Sequence, residues 1–367
     1  MKTSRLAVCA LMCSVWCVKA LAEPTCPPER AMRLDPVALI GGREVPGKPE
    51  FVERHEGAEY HFESAESRAV FVADKGKYAA VDGGACGSMG PLSGVGDARR
   101  ATVYQGKLYF FASDGCKATF LRDPGKCIEV AAAKPTGDAA ATERAAELLD
   151  KLTAWCGGAE ALKQLQTLEM TTTNVTKSGD KEWKNVRTTR IAFPDRFAER
   201  DAWNDSWWEF VSAGGVGGSK SHKESIALAE SRRAAFVRWM LRHPIVLLKM
   251  RDRPGFVAMA DEPKAESVPG DAVMQVWCAG ALTRIAIRES DGSLLWIEFV
   301  GRDETLKIGT MRRVFTRFET VNGVRMPVEW KRIADDKEEK SEGRLDTCKA
   351  GVQFEEDVFR VAKEYER

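Results

Sequence analysis

The sequence predicts an α+β protein, with a small module of two repeated strand–helix units followed by an antiparallel sheet curved around a core and covered by helices. Three observations predict it. The chain matches itself at a shift of 49 residues, nine of its ten tryptophans lie beyond a small-residue stretch at 131–141, and the region beyond that stretch reads as strands in succession joined by hairpin turns.

At the N-terminus Lys2 and Arg5 precede an apolar run, Leu6 to Val18, that ends at Ala20-Leu21-Ala22. A charged start, a short apolar core and an A-x-A site are the features of a secretory signal, residues 1–22. The run is shorter than the roughly 20 residues of a membrane helix, and no later uncharged stretch reaches that length. The processed chain is therefore expected in the periplasm or outside the cell, with no transmembrane segment. Removing Lys2, Arg5 and Lys19 from 55 basic residues leaves 52 against 54 acidic ones, a net charge near −2. Without a clustered basic excess, no nucleic-acid partner is expected. Cys26, Cys86, Cys116, Cys127, Cys156, Cys278 and Cys348 remain. Their number is odd, so at least one is free, metal-bound or joined to another chain.

The repeat is the sharpest signal. Residues 60–81, YHFESAESRAVFVADKGKYAAV, lie over residues 109–130, YFFASDGCKATFLRDPGKCIEV, without a gap and with nine of 22 positions identical. Composition alone gives about one or two, so the stretch reads as two units, 35–81 and 84–130. Each unit begins with a Tyr-x-Phe alternation suited to a half-buried strand. Ser64 or Ser113 can then cap a helix, with Phe71 or Phe120 as its apolar anchor. Asp123-Pro124-Gly125 ends the second helix. Cys116 falls in the first helical turn beside Lys117, where the helix dipole favours thiolate; Ser67 stands at its place in the first unit. His61 alternates with Tyr60 and Phe62 and is expected to be exposed.

The pattern Tyr109-x-Phe111-x-Ser113-x-x-Cys116-x-x-x-Phe120-x-x-Asp123-Pro124 resembles the YHS domain, and Asp35-Pro36-Val37 resembles that family's opening. The resemblance covers about residues 34–131. It implies a soft-metal site in members with one cysteine after the opening and another at the helix start. Ala38 and Ser67 occupy those places in the first unit, so only the second is a candidate, through Cys86, Met89, Cys116 and Cys127. Thiolate and thioether suit Cu(I) or Zn. In an oxidising compartment the same cysteines can instead be structural disulfides, with three pairings among Cys86, Cys116 and Cys127, or redox thiols.

The stretch AAAKPTGDAAA, residues 131–141, reads as a linker, and residues 142–367 as a second domain. It opens with an amphipathic helix carrying Ala145, Leu148, Leu149, Leu152 and Trp155, ended by Gly157-Gly158. Strand patterns follow at LQTLEMTTTNVT, KNVRTTRIAF, RFAERDAW and WWEFVSA. A helical stretch at 224–250 interrupts them, and a second strand set carries hairpin signals at Asp291-Gly292 and Asn322-Gly323. This order is similar to the lipoprotein-carrier fold of the LolA and LolB type, an unclosed antiparallel half-barrel plugged by helices. That resemblance implies a cavity for a lipid, acyl chain or other apolar ligand, and an envelope protein as partner. Candidate lining residues are Trp203, Phe236, Trp239, Met240, Leu247, Trp277 and Trp296, although a stripe at helical spacing also suits an ordinary core helix.

No catalytic constellation is present. There is no His-x-x-x-His pair and no Gly-x-Ser-x-Gly elbow, and GGVGGSKSHKES, residues 214–225, lacks phosphate-loop spacing and is expected to be a flexible loop. The reading is a secreted binding protein, carrying an apolar ligand in the second domain or handling a soft metal through the first.

Overall fold

The computed structural model describes residues 28–178, 181–222, 224–262, 271–303, 305–339 and 343–361. The expected signal segment and Cys26 lie outside them. A 3-10 turn at Pro28–Arg30 leads to β1 (Ala31–Met32), α1 (Pro36–Ile40), β2 (Lys48–His55), β3 (Ala58–Phe62), α2 (Ala65–Ala73) and α3 (Lys75–Tyr78). A second turn, Val81–Gly84, precedes β4 (Asp97–Tyr104), β5 (Lys107–Phe111), α4 (Asp114–Arg122) and the turn Pro124–Lys126. Next come α5 (Ala139–Trp155), α6 (Gly158–Gln164), β6 (Thr167–Ser178), β7 (Lys181–Ala192), β8 (Arg196–Trp203), β9 (Ser206–Ala213), β10 (Val216–Ser221), β11 (Ser225–Ala227), α7 (Glu230–Met240) and α8 (Pro244–Lys249). The remainder is β12 (Val257–Asp261), β13 (Asp271–Cys278), β14 (Ala281–Arg288), β15 (Leu294–Arg302), β16 (Ile308–Val321), β17 (Val324–Ala334), β18 (Lys337–Glu338), β19 (Gly343–Arg344), β20 (Thr347–Ala350) and a turn at Glu356–Phe359.

The two repeated stretches adopt the same local structure for the same local reasons. Each hairpin turns at a left-handed glycine, Gly57 at φ +80° and Gly106 at φ +70°. Ser64 accepts a hydrogen bond from the Ser67 N–H at 3.2 Å, and Ser113 one from the Cys116 N–H at 3.1 Å, so both helices start on a serine cap. Phe71 and Phe120 are both fully buried, each against a Tyr and a Phe of its own strand. Asp74 and Asp123 then cap the turns that follow, accepting from the Lys77 and Lys126 N–H groups.

His61 departs from the expectation of exposure: it is 3% exposed. Its strand β3 lies between β1 and β2, and the segment around Gly47 crosses its outer face so closely that a Cβ on Gly47 would sit 2.5 Å from the His61 Cβ. The ring is satisfied there by Arg33 and by Glu59 at 2.9 Å.

The fold is mixed α+β, built mostly of antiparallel sheets that do not close into a barrel. One large sheet runs β11-β10-β9-β8-β7-β6-β20; the other runs β12 through β18 in sequence order, with β19 on β17. Among the described residues no strand of one pairs with a strand of the other. Their facing sides share one apolar core with α5, α7 and α8. Helix α5 starts at an Asp138 cap, 2.8 Å from the Ala141 N–H, and ends where Gly157 takes φ +116°. A Cβ on Gly157 would lie 2.0 Å from the Gly323 carbonyl oxygen, so the helix end and the Asn322-Gly323 turn of β16–β17 pack backbone to backbone.

The structure departs from the sequence pattern at two places. The glycine-rich stretch at 214–225 is no free loop: Val216–Ser221 forms β10, paired with both β9 and β11. Its glycines admit close packing, since a Cβ on Gly217 would meet Arg233 at 2.8 Å and one on Gly218 would meet Val361 at 3.2 Å. The helical stretch at 224–250 is β11, α7 and α8, interrupted because Pro244 starts a new helix rather than continuing the old one.

Candidate functional site

The second repeat unit gathers Cys86, Met89, Cys116 and Cys127 around Tyr109, Phe111 and Phe120 in one cluster. Cys86 follows the turn at Val81–Gly84 and is fully buried. Its N–H donates to the Gly94 carbonyl at 3.1 Å, and its Sγ accepts from the Ala112 N–H at 3.4 Å and lies 3.5 Å from Ser88 Oγ. Cys116 sits in the first turn of α4, as its cap predicts. Burial raises its thiol, but hydrogen bonds from Ser113, Ser88 and Cys86 outweigh burial and hold it below the ordinary thiol range. Cys86 and Cys116 thus belong to one cluster, and the thiol of the second is held below its ordinary range. Cys127, 5% exposed, is pushed the other way, chiefly by burial.

All six described cysteines are free, so none of the three disulfide pairings considered among Cys86, Cys116 and Cys127 is formed. Among the described residues no three His, Cys, Asp or Glu side chains converge as a metal-binding group. Cys127 therefore does not complete a three-cysteine set. The candidate donors are two thiols, with Met89 packed against the same cluster, too few for a closed tetrahedral zinc centre; sulfur donors suit a soft ion.

The site is held from outside its unit. Arg302, at the end of β15, donates to the Cys127 carbonyl at 2.6 Å and to the Ser88 carbonyl at 3.2 Å. Gly90 leaves it room: a Cβ there would fall 2.3 Å from the Arg302 guanidinium. Arg232, 1% exposed on α7, donates to the carbonyls of Pro91 at 2.8 Å and Ser93 at 2.7 Å. In the first unit Ser67 stands at the Cys116 place and donates to Asp35 at 2.6 Å, while Asp35 also caps α1. A polar pair there replaces the thiol.

The seven residues expected to line an apolar cavity lie in different surroundings. Phe236, Met240 and Leu247 are buried in the core, whereas Trp203 is 42% exposed at a hairpin end. Trp239 donates to Glu199 at 2.9 Å and lies among the guanidinium groups of Arg187, Arg242 and Arg313. Trp277 donates to the Ala132 carbonyl at 2.7 Å, with Lys134 over its ring. Trp296 is flanked by Arg284 and Arg312. The tryptophans act mainly as platforms for arginines. Sequence reasoning missed the arginines themselves, among them the cross-strand ladder Arg284–Glu298–Arg312, with contacts of 2.9 and 2.6 Å. A cleft of about 150 Å³ lies where residues 129–132 cross β14–β16, and none of the seven residues lines it.

No helix among the described residues is long and apolar enough to cross a membrane. No curated protein matches the chain by sequence. In structure it is similar to a DUF1329 family protein from Desulfovibrio piger, at 11% identity and TM-score 0.37, over 59% of this chain and 97% of that one. It is likewise similar to a LolA superfamily protein from Nitrosomonas europaea, at 10% identity and TM-score 0.39, over the same shares of 59% and 97%. Residues 94–127, which hold Cys116 and Cys127, match the family model of the YHS domain.

Proposed function

We propose that this is an exported binding protein whose chemical centre is the Cys86–Cys116 pair, holding one soft metal ion, Cu(I) foremost, with the Met89 thioether beside it. The observation that carries this reading is the clustering of buried Cys86 with Cys116 at the start of α4, where hydrogen bonds hold the Cys116 thiol below its ordinary range. Such an ion needs deprotonated sulfur, and its binding releases protons; a thiol already lowered by hydrogen bonds gives up its proton at less cost. The first unit, a duplicate in this reading, keeps the scaffold and has Asp35 and Ser67 in place of thiols. Anaerobic Cu(I) titration against a chromophoric chelator tests the proposal. Stoichiometric uptake by the wild type, lost in both Cys86→Ser and Cys116→Ser and kept in Cys127→Ser, is the expected result; undiminished uptake by Cys116→Ser would sink it.

A second reading, a carrier of an apolar ligand, rests on a different observation: α7 and α8 lie in the core shared by both large sheets, and their outward movement would uncover Phe236, Met240 and Leu247. In the closed form the cleft of about 150 Å³ is smaller than the roughly 300–1,000 Å³ of drug-sized ligand sites. Mass spectrometry of an organic extract of the exported protein tests it. A stoichiometric lipid supports the carrier, and a lipid-free protein that takes up no added fatty acid rules it out.

A further inference from the structure

The cleft where residues 129–132 meet the second sheet is lined by an arginine that makes no ion pair among the described residues, although its charge acts on the Asp82 carboxylate. Its walls include Glu129, Arg238, Arg242, Arg284, Glu298 and Thr310. Two of the three arginines are consumed by neighbours. Arg242 donates to Glu129 at 3.0 Å and to the Val300 carbonyl at 2.9 Å. Arg284 is bound to Asp261 at 2.6 Å and to Glu298 at 2.9 Å. Arg238 has no ion pair among the described residues, and its Nε is enclosed without a hydrogen-bond partner. Natural folds rarely leave a buried donor without a partner. Burial, with a smaller contribution from the neighbouring Arg238 charge and against Glu129, holds Arg242 below the ordinary guanidinium range.

We propose that this cleft is a binding site for a compact oxyanion, a carboxylate or phosphate group, received by Arg238. A volume of about 150 Å³ admits such a group and little more. A planar guanidinium offers it paired N–H donors, and Thr310, exposed at the rim, is open to added charge. The site is separate from the thiol cluster and does not depend on its having a metal.

The test is calorimetric titration of the full chain with inorganic phosphate, with acetate and with dihexanoylphosphatidic acid, each against chloride at matched ionic strength. Saturable binding of a free anion, or of the lipid-borne phosphate alone, is expected; the first identifies a soluble ligand and the second a headgroup. Arg238→Gln should weaken it at least tenfold, and Arg238→Lys should restore part of it. Arg238→Gln should also match or exceed the wild-type melting temperature in anion-free buffer, because it removes the enclosed, unpaired Nε–H. Should that variant fold poorly, Thr310→Asp, at an exposed position, places a like charge at the rim and should abolish binding. No saturable heat with any probe, or equal affinity in both variants, overturns the proposal.

Discussion

Replacing Arg302 with methionine removes a charged donor from the carbonyls of Ser88 and Cys127, at 3.2 and 2.6 Å, and from the more exposed Leu306 carbonyl at 2.7 Å. Hydrogen bonds from a charged group contribute about 1.5–3 kcal/mol each. Water can re-satisfy the Leu306 carbonyl and part of the others, which leaves an expected loss of about 2–4 kcal/mol. The perturbation should be local to the thiol unit, so Cys116 and Cys127 should react with iodoacetamide faster than in the wild type. Gly90→Ala reaches the same contact from the other side: its Cβ would fall 2.3 Å from the guanidinium, at a backbone φ of +87°. It should cost about 1–2 kcal/mol in left-handed strain, plus the displacement of Arg302. In the Arg302→Met background only the strain remains. A double-mutant cycle by urea denaturation should therefore give a coupling of about 1–2 kcal/mol. Additivity within about 0.5 kcal/mol, or an Arg302→Met variant with wild-type midpoint and thiol reactivity, would refute the clamp.

Three further outcomes follow from the geometry. Burial, reinforced by the Arg313 charge, pushes His243 down to about 3 from 6.5; the unfolded chain then takes up this proton first, so stability is lost as pH falls from about 6.5 toward 3, by about 2 kcal/mol at pH 5. His243→Gln should lack that component, and stability–pH curves parallel to wild type would contradict it. Alkylation of Cys116 should titrate at lower pH than that of Cys127, whose thiol is pushed up by burial, and Ser113→Ala should move the Cys116 midpoint up; an unmoved midpoint would remove Ser113 from the account. Gly157→Ala, whose Cβ would meet the Gly323 oxygen at 2.0 Å, should cost more than about 3 kcal/mol, whereas Gly158→Ala, at φ +89° with nothing within 4 Å, should cost only about 1. Equal melting temperatures for the two would show that the turn moves freely.

Local chemistry was legible in the sequence, and long-range chemistry was not. The Ser64 and Ser113 caps, the Asn322-Gly323 hairpin and strand Arg196–Trp203 depend on neighbours within a few residues, and their patterns are visible in one dimension. The burial of His61 depends on where the chain around Gly47 crosses, which no alternation in β3 records. The glycines of β10 suggest a loop because their cause, the approach of Arg233 and Val361, lies elsewhere in the chain. The Arg284–Glu298–Arg312 ladder exists only once β14, β15 and β16 are in register. For the candidate site, Cys116 at a helix start was readable from its cap. Its clustering with Cys86 and the clamp from Arg302, 175 residues beyond Cys127, were not.

The clamps bear on how a ligand would be held. The loop from Cys86 to Ser93 carries one thiol and the thioether, and on its own a loop of this kind would lose conformational freedom on closing around an ion. Here Arg302 fixes the Ser88 carbonyl and Arg232 fixes those of Pro91 and Ser93, before anything is bound. Arg232 lies over the Phe210 ring, and although burial pushes it down to about 10, it is still a cation at neutral pH. The ordering cost would then be carried by folding rather than by binding, which would raise the affinity of the proposed site without adding a ligand. It also ties the thiols to α7 and β15. Any movement of α7 that opened the core around Phe236 would have to release the carbonyls of Pro91 and Ser93 or carry the thiol loop with it. The metal and carrier readings are in that sense mechanically connected: an ion that stiffens the loop would hold the helix shut.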